Sequence, residues 1–363
     1  MPAPGLTLRS SPPPPSFPGA GGASLLHQPG VQAMAAGLVA ANALAWLWAG
    51  LAFHAAPVLL GAAALAYTLG LRHGMDADHL AAIDNVTRKL MQDGQRPLAV
   101  GLWFSLGHST VVILATAALA LAAGVFQRQL AAWRLIGGLA GATISALFLF
   151  AIAVANLFIL RATYRAFRRA QRGEAPGPDL LAQLCAGRGL RSRIFAPLFG
   201  FIAHSRRMYW LGLLFGLGFD TASEIALLAL SAAEAAKGLP FWALLAFPAL
   251  FTAGMALVDT ADGILMLGAY AWAFTRPIRK LYYNLTVTAI SILVALAVGA
   301  IEVLGLWAAA HPRGGDWPWV RVLNQHFAAL GIVIVAIFIA SWLLAVALYR
   351  WRGWDHLAPA PEE

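Results

Sequence analysis

Arg72, His73, Asp76, Asp78 and His79 fall within one ten-residue stretch, Leu71–Leu80, of a chain that is strongly apolar on the preceding side. Two imidazoles and two carboxylates at this spacing supply the mixture of nitrogen and oxygen donors that suits a borderline transition metal. Residues three apart share a face of a regular helix, so His73, Asp76 and His79 form one stripe, which Asp84 rejoins further along. At 100° per residue Asp78 points a quarter-turn or more away from that stripe. A break near Gly70 or Gly74 would swing it in, so Asp76 and Asp78 both remain candidate ligands. A carboxylate bonded to one nitrogen of an imidazole fixes the tautomer and leaves the other nitrogen for a metal. The simplest alternative is an ion cluster balanced by Arg72. It gives no reason for two histidines within seven residues.

Further polar residues stand in other apolar stretches. His108 lies in Phe104–Thr110, with Ser105 and Ser109 at hand to satisfy its ring and Gly107 to permit close helix approach. Asp220 and Glu224 are four apart, and Asp259 and Asp262 are three apart, so each pair shares a helix face. None of these four acids has a basic partner in its own stretch, and an uncompensated carboxylate in hydrocarbon is costly. A shared polar path through a helix bundle accounts for all four. Asn42 is a buried amide that lines the path or ties neighbouring helices. Asp84 and Arg88, four apart, are expected to form an ion pair.

The elements that must hold these residues are membrane helices. The chain has 363 residues, of which 60% are hydrophobic and 11% charged, whereas soluble domains carry about 25% charged residues. An ionisable side chain at bilayer depth costs roughly 2.5–3.5 kcal/mol, so such groups stay where they pair or where something polar passes. Apolar runs of about 20 residues fall near 33–53, 58–87, 98–124, 135–160, 208–233, 241–272, 281–309 and 325–350. The expected fold is an all-α, polytopic membrane bundle of eight transmembrane helices. The second run is longer than a bilayer needs, so it must tilt, break or project. With the N-terminus inside, Lys and Arg number 19 on the inner side and 5 on the outer, with Arg72 inside a span. The positive-inside rule therefore places both termini in the cytoplasm and the chain in the cell's inner membrane.

Residues 1–32, with a proline run at 12–15, are expected to be a disordered tail, and 351–363 a cytoplasmic C-terminal tail. Residues 161–207 divide four helices from four and read as a basic cytoplasmic loop against anionic lipid. Cys185 stands alone, which excludes a disulfide framework and a thiolate metal site. The net charge of +9 follows membrane topology, so nucleic acid is not an expected partner.

Arg72-His-Gly-Met-Asp-Ala-Asp-His-Leu80 resembles the Arg-His-Ala-(Val/Phe)-Asp-Ala-Asp-His-Ile signature of the nickel/cobalt transporter family. Leu106-Gly-His-Ser, Leu217-Gly-Phe-Asp-Thr-Ala-Ser-Glu and Gly254-Met-Ala-Leu-Val-Asp-Thr-Ala-Asp-Gly are similar to its other signatures, and Asn42-Ala-Leu-Ala-Trp to its first-helix motif. The resemblance spans about residues 35–350. It implies eight transmembrane helices, cytoplasmic ends and uptake of Ni2+ or Co2+ as transported substrate, with no cofactor and no enzymatic activity. The family's His-x4-Asp-His core falls on His73, Asp78 and His79. Gly74, Met75 and Leu80 depart from the signature, and Met75 stands at a position associated with the choice between the two ions.

The expectation is a secondary transporter whose metal ligands are drawn from His73, Asp76, Asp78, His79 and His108. Arg72, Asn42, Asp220, Glu224, Asp259 and Asp262 line the path or support the ligands. A divalent cation gains roughly twice 2.3 kcal/mol per 100 mV on entering a cell, so import needs no nucleotide, and no phosphate-binding loop is present. Two alternatives stand beside it: efflux by proton antiport, and an intramembrane metal-dependent hydrolase. The second lacks the His-Glu-x-x-His motif.

Overall fold

The computed structural model describes residues 27–121, 127–171, 203–217, 221–273, 277–310 and 317–351. Among them every regular element is helical. In chain order these are α1 (Pro29–Ala52), α2 (Val58–His73), α3 (Ala77–Gln92), α4 (Val100–Leu121) and α5 (Gln127–Gln171). After a 3-10 turn at Ser205–Arg207 come α6 (Met208–Gly216), α7 (Ala222–Ala236), α8 (Phe241–Leu244) and α9 (Ala246–Ala273). The chain then forms α10 (Pro277–Ala310), α11 (Pro318–Gln325) and α12 (Phe327–Trp351).

Five stretches are long and apolar enough to cross a membrane: Pro29–Ala52, Val100–Leu121, Leu139–Phe158, Phe241–Gly268 and Leu285–Ala308. Shorter apolar helices cover Val58–His73 and Ala328–Ser341. Large apolar side chains such as Leu44, Leu47, Leu51, Leu114, Leu293 and Ile332 are exposed. Spread over several helices, they form an apolar exterior of the kind a lipid-facing bundle presents. α5 has 45 residues, about 68 Å at 1.5 Å per residue. It runs well past its apolar stretch, through the exposed Arg161, Arg165 and Arg168, into residues expected to be loop.

The second and fifth expected spans are each two helices in succession. α2 ends at His73, Gly74 and Met75 turn, and Asp76 takes an extended conformation (φ −66°, ψ 144°) before α3 begins. α6 ends at Gly216, and Thr221 (φ −85°, ψ 146°) caps α7. The overlong second run is thus resolved by a break, and the regular stripe expected across His73, Asp76 and His79 does not exist as a helix face. Helix interruptions bury free backbone groups, which a membrane tolerates where they line a cavity rather than meet lipid.

Glycines allow the crossings that bring these breaks together. A Cβ on Gly70 would lie 2.1 Å from the Phe251 carbonyl oxygen, and one on Gly254 would lie 2.7 Å from that of Tyr67, so α2 and α9 meet backbone to backbone. Gly107 and Gly212 do the same for α4 and α6: their Cβ positions fall 1.8 Å from the Tyr209 oxygen and 1.9 Å from the Phe104 oxygen. Small residues at such crossings are how membrane helices gain van der Waals contact when lipid supplies no hydrophobic drive. Two buried apolar clusters flank the crossings. One is built on Ile83, Leu90, Phe104, Leu149 and Ile152, the other on Phe53, Phe247, Leu250 and Phe251.

Candidate metal centre

The break after α2 sets His73 at a helix C-terminus and His79 in the first turn of α3. His108 comes from the middle of α4. All three are buried, at 1%, 0% and 2% exposure. One nitrogen from each lies within 4.8 Å of the others. Ligands around one ion at about 2.1 Å stand about 3.0–3.4 Å apart, so small ring rotations bring all three nitrogens into ligating range.

Carboxylates hold the rings from behind. His73 Nδ1 lies 2.9 Å from Asp76 Oδ2, and His79 Nδ1 lies 3.3 Å from Asp259 Oδ1. In each pair the Nδ1–H donates to the carboxylate, which leaves Nε2 turned the other way. His73 Nε2 sits 2.9 Å from His108 Nε2, and His108 Nε2 sits 2.9 Å from Glu224 Oε1. His79 Nε2 and His108 Nδ1 are buried with no hydrogen-bond partner. A buried imidazole nitrogen left without a partner is costly, and a Lewis acid at the centre of the cluster would remove the cost for His79.

The supports are themselves bonded. Ser105 Oγ lies 2.6 Å from Asp259 Oδ2 and 2.9 Å from the Gly101 carbonyl, so its proton has two acceptors. Thr221 Oγ1 donates to Glu224 Oε2 at 3.0 Å, accepts from the Glu224 amide and stands 3.3 Å from His73 Nδ1. Thr221 and Glu224 have the Thr-x-x-Glu spacing of a capping box, here with the carboxylate also turned toward His108. Asp76, at the N-cap of α3, makes no cap bond because its carboxylate serves His73. Phe251 and Phe104 wall the site, with centroids 5.4 Å from the His73 ring and 4.8 Å from the His79 ring.

Of the residues singled out from sequence, the structure brings His73, Asp76, His79, His108, Glu224 and Asp259 into one cluster. Asp76 stands behind His73 rather than among the facing nitrogens. Asp78 lies in the first turn of α3, with Oδ1 buried and without a hydrogen-bond partner. Asp262 is one turn along α9 from Asp259 and buried. Arg72 is half-buried next to His73. Asn42 donates to the Leu38 carbonyl at 2.8 Å and the Ala253 carbonyl at 3.4 Å, which ties α1 to α9. Asp220 lies outside the described residues. Ser105 serves Asp259 rather than His108, and Ser109 Oγ is without a partner. Thr221 and the two phenylalanines were not legible as site residues. The one signal available was the Thr-x-x-Glu spacing in front of an apolar run.

The chain matches the family model for NicO, high-affinity nickel-transport protein, over residues 59–348. The high-affinity nickel transport protein of Cupriavidus necator is 57% identical over 319 residues, which cover 88% of this chain and 91% of that protein. The nickel transporter NicT of Mycobacterium tuberculosis is 44% identical over 342 residues, 91% of each chain. The cobalt transport protein NhlF of Rhodococcus rhodochrous is 38% identical over 314 residues, 84% of this chain and 85% of its own. No solved structure matches the chain.

Proposed function

The chain belongs to the high-affinity nickel-transport protein family, and we propose that it is a permease importing Ni2+, with Co2+ as the competing substrate, through the buried imidazole cluster. The observation that carries this reading is the convergence of His73, His79 and His108 from two separate expected spans, with carboxylates on the Nδ1 atoms of His73 and His79. Imidazole nitrogens backed by carboxylates favour Ni2+ and Co2+ over Mg2+ or Ca2+, which prefer oxygen alone. Glu224, hydrogen-bonded beside His108, adds an oxygen donor and offsets part of the ion's charge. Relatives bear names of both nickel and cobalt transport proteins, and Met75 at the signature's variable position leaves both ions as substrates to be measured.

The same reading includes eight transmembrane helices, the second and fifth each interrupted at the site, with both termini in the cytoplasm and the protein in the cytoplasmic membrane. The charge asymmetry supports the orientation, and the half-helices support a site at mid-depth, as in other transporters built on discontinuous helices. Transport of an ion by such a site forms no covalent bond, in keeping with a family of transporters rather than enzymes.

Isotope uptake decides the matter. Cells expressing the chain should accumulate radioactive Ni2+ above the vector control, and His79→Ala should lower that accumulation at least ~10-fold at equal membrane abundance. Loss of cellular nickel on expression would identify an exporter. Uptake unchanged in His79→Ala would remove the imidazole cluster from the path.

A further inference from the structure

The turn between α2 and α3 is held by two helices that give no imidazole to the cluster. Gly74 meets α9: a Cβ there would lie 2.9 Å from the Val258 Cβ and 3.0 Å from the Met255 carbonyl oxygen. Met75 meets α12. A Cβ on Gly331 of α12 would fall 1.6 Å from the Met75 carbonyl oxygen and 2.8 Å from Leu80 Cδ1. The oxygen thus stands where a side chain at 331 would begin, and the Gly331 Cα–H points at it. Ile334 and Phe338, one and two turns further along α12, are buried in the cluster that contains Ile83 and Leu90 of α3. Ile332, Val333, Leu343 and Leu344 of the same helix are exposed. One face of α12 therefore docks on α3, and Gly331 brings that face to the turn.

The peptide that α12 reaches is part of the short link between His73 and His79. Breaking the helix frees the Met75 carbonyl: among the described residues no backbone N–H donates to it. A carbonyl freed inside a membrane protein is tolerated where protein covers it. A glycine Cα–H gives a second helix the closest approach to such an oxygen. The other end of the same peptide is tied as well, since the Asp76 N–H donates to the His73 carbonyl at 2.9 Å. Held at its oxygen by α12 and at its N–H by α2, this peptide delivers the Asp76 carboxylate to His73 Nδ1 at 2.9 Å. Leu80, the neighbour of His79, lies against the same glycine.

We propose that Gly331 is a positioning residue for the metal centre. By seating α12 on the Met75 carbonyl it fixes the Met75–Asp76 peptide, and through it the Asp76 carboxylate on His73 and the spacing of His73 from His79. The proposal rests on the reading of the imidazole cluster as the metal site. A methyl group added at 331 meets backbone, which cannot swing aside as the tip of a side chain would, so the displacement passes to the turn. A carboxylate that orients a ligating imidazole is felt by the metal when it moves.

The test uses the purified full-length chain in lipid nanodiscs, with Ni2+ titration calorimetry and the visible absorption of bound Co2+, whose bands follow the number and arrangement of the ligands. Gly331→Ala should weaken Ni2+ binding at least ~10-fold and change the Co2+ bands. Gly299→Ala adds a methyl group where α10 crosses α5, 3.3 Å from Phe150 Cζ, and should leave both readouts as in the parent. A purely structural role for Gly331 would lower thermal stability without changing the Co2+ bands. Unchanged bands in folded Gly331→Ala, whatever its affinity, therefore overturn the proposal and leave the permease reading intact. Equal changes in both variants overturn it too, and a parent that binds neither ion overturns both readings. If Gly331→Ala does not fold by size exclusion, hydrogen exchange on the parent decides. Added Ni2+ should slow exchange of the amides in residues 327–334, and exchange unaltered by Ni2+ overturns the proposal.

Discussion

At the scale of single residues, the site is built from pairs in which a carboxylate orients an imidazole. Sequence alone exposes the imidazoles, because histidines are rare in apolar stretches and two of them fall within seven residues. It does not assign their carboxylates. Asp76 serves His73 from three residues away, whereas the partner of His79 is Asp259, 180 positions distant. Asp259 is therefore predicted to act through His79. Asp259→Asn keeps the shape but removes the charge that holds Nδ1–H, so Ni2+ affinity should fall ~10–100-fold. A dissociation constant from calorimetry, with the His79→Ala variant alongside, checks this. If the two substitutions together cost the sum of their separate effects, the residues do not work as a unit.

At the scale of elements, the breaks in the second and fifth expected spans do what continuous helices would not. They turn His73 and His79 inward from either side of Asp76, and they bring the capped start of α7 to the same place. Gly70, Gly107, Gly212 and Gly254 set how close the helices come. Gly70→Ala would place a methyl group 2.1 Å from the Phe251 oxygen. It must push α2 from α9, at a cost of about 1–3 kcal/mol or more. Gly61, on the same helix, has nothing within 4 Å of its Cβ position. Gly61→Ala should instead stabilise by about 0.5–1 kcal/mol through helix propensity. Thermal unfolding in detergent should therefore move in opposite directions for the two variants. A shift of the same sign would mean that the glycine contact does not hold the bundle together.

At the scale of the whole molecule, the proposed import moves a doubly charged ion through an electric field. Two charges crossing 100 mV gain roughly 4.6 kcal/mol, enough for accumulation of more than 10³-fold without another energy source. Proteoliposomes holding an inside-negative potassium diffusion potential should concentrate Ni2+. Clamping the potential at zero should reduce the result to equilibration. Equal accumulation with and without the potential would point to a coupled ion instead.

What sequence by itself determined was the inventory and its setting: an α-helical membrane protein, the polar residues placed in apolar stretches, and the donor chemistry of those residues. These are legible because hydropathy and charge are properties of a local stretch and need no knowledge of neighbours. The overlong second run required a tilt, a break or a projection, and Gly70 and Gly74 were both places where a break could fall. Where the chain broke, and so which residues faced each other, was decided by packing. The meeting of His108 with Glu224, 116 residues apart, and of His79 with Asp259 follows from backbone contacts at small residues on separate helices. A pairing of that kind depends on how several helices fit at once, and no stretch of the chain carries it alone.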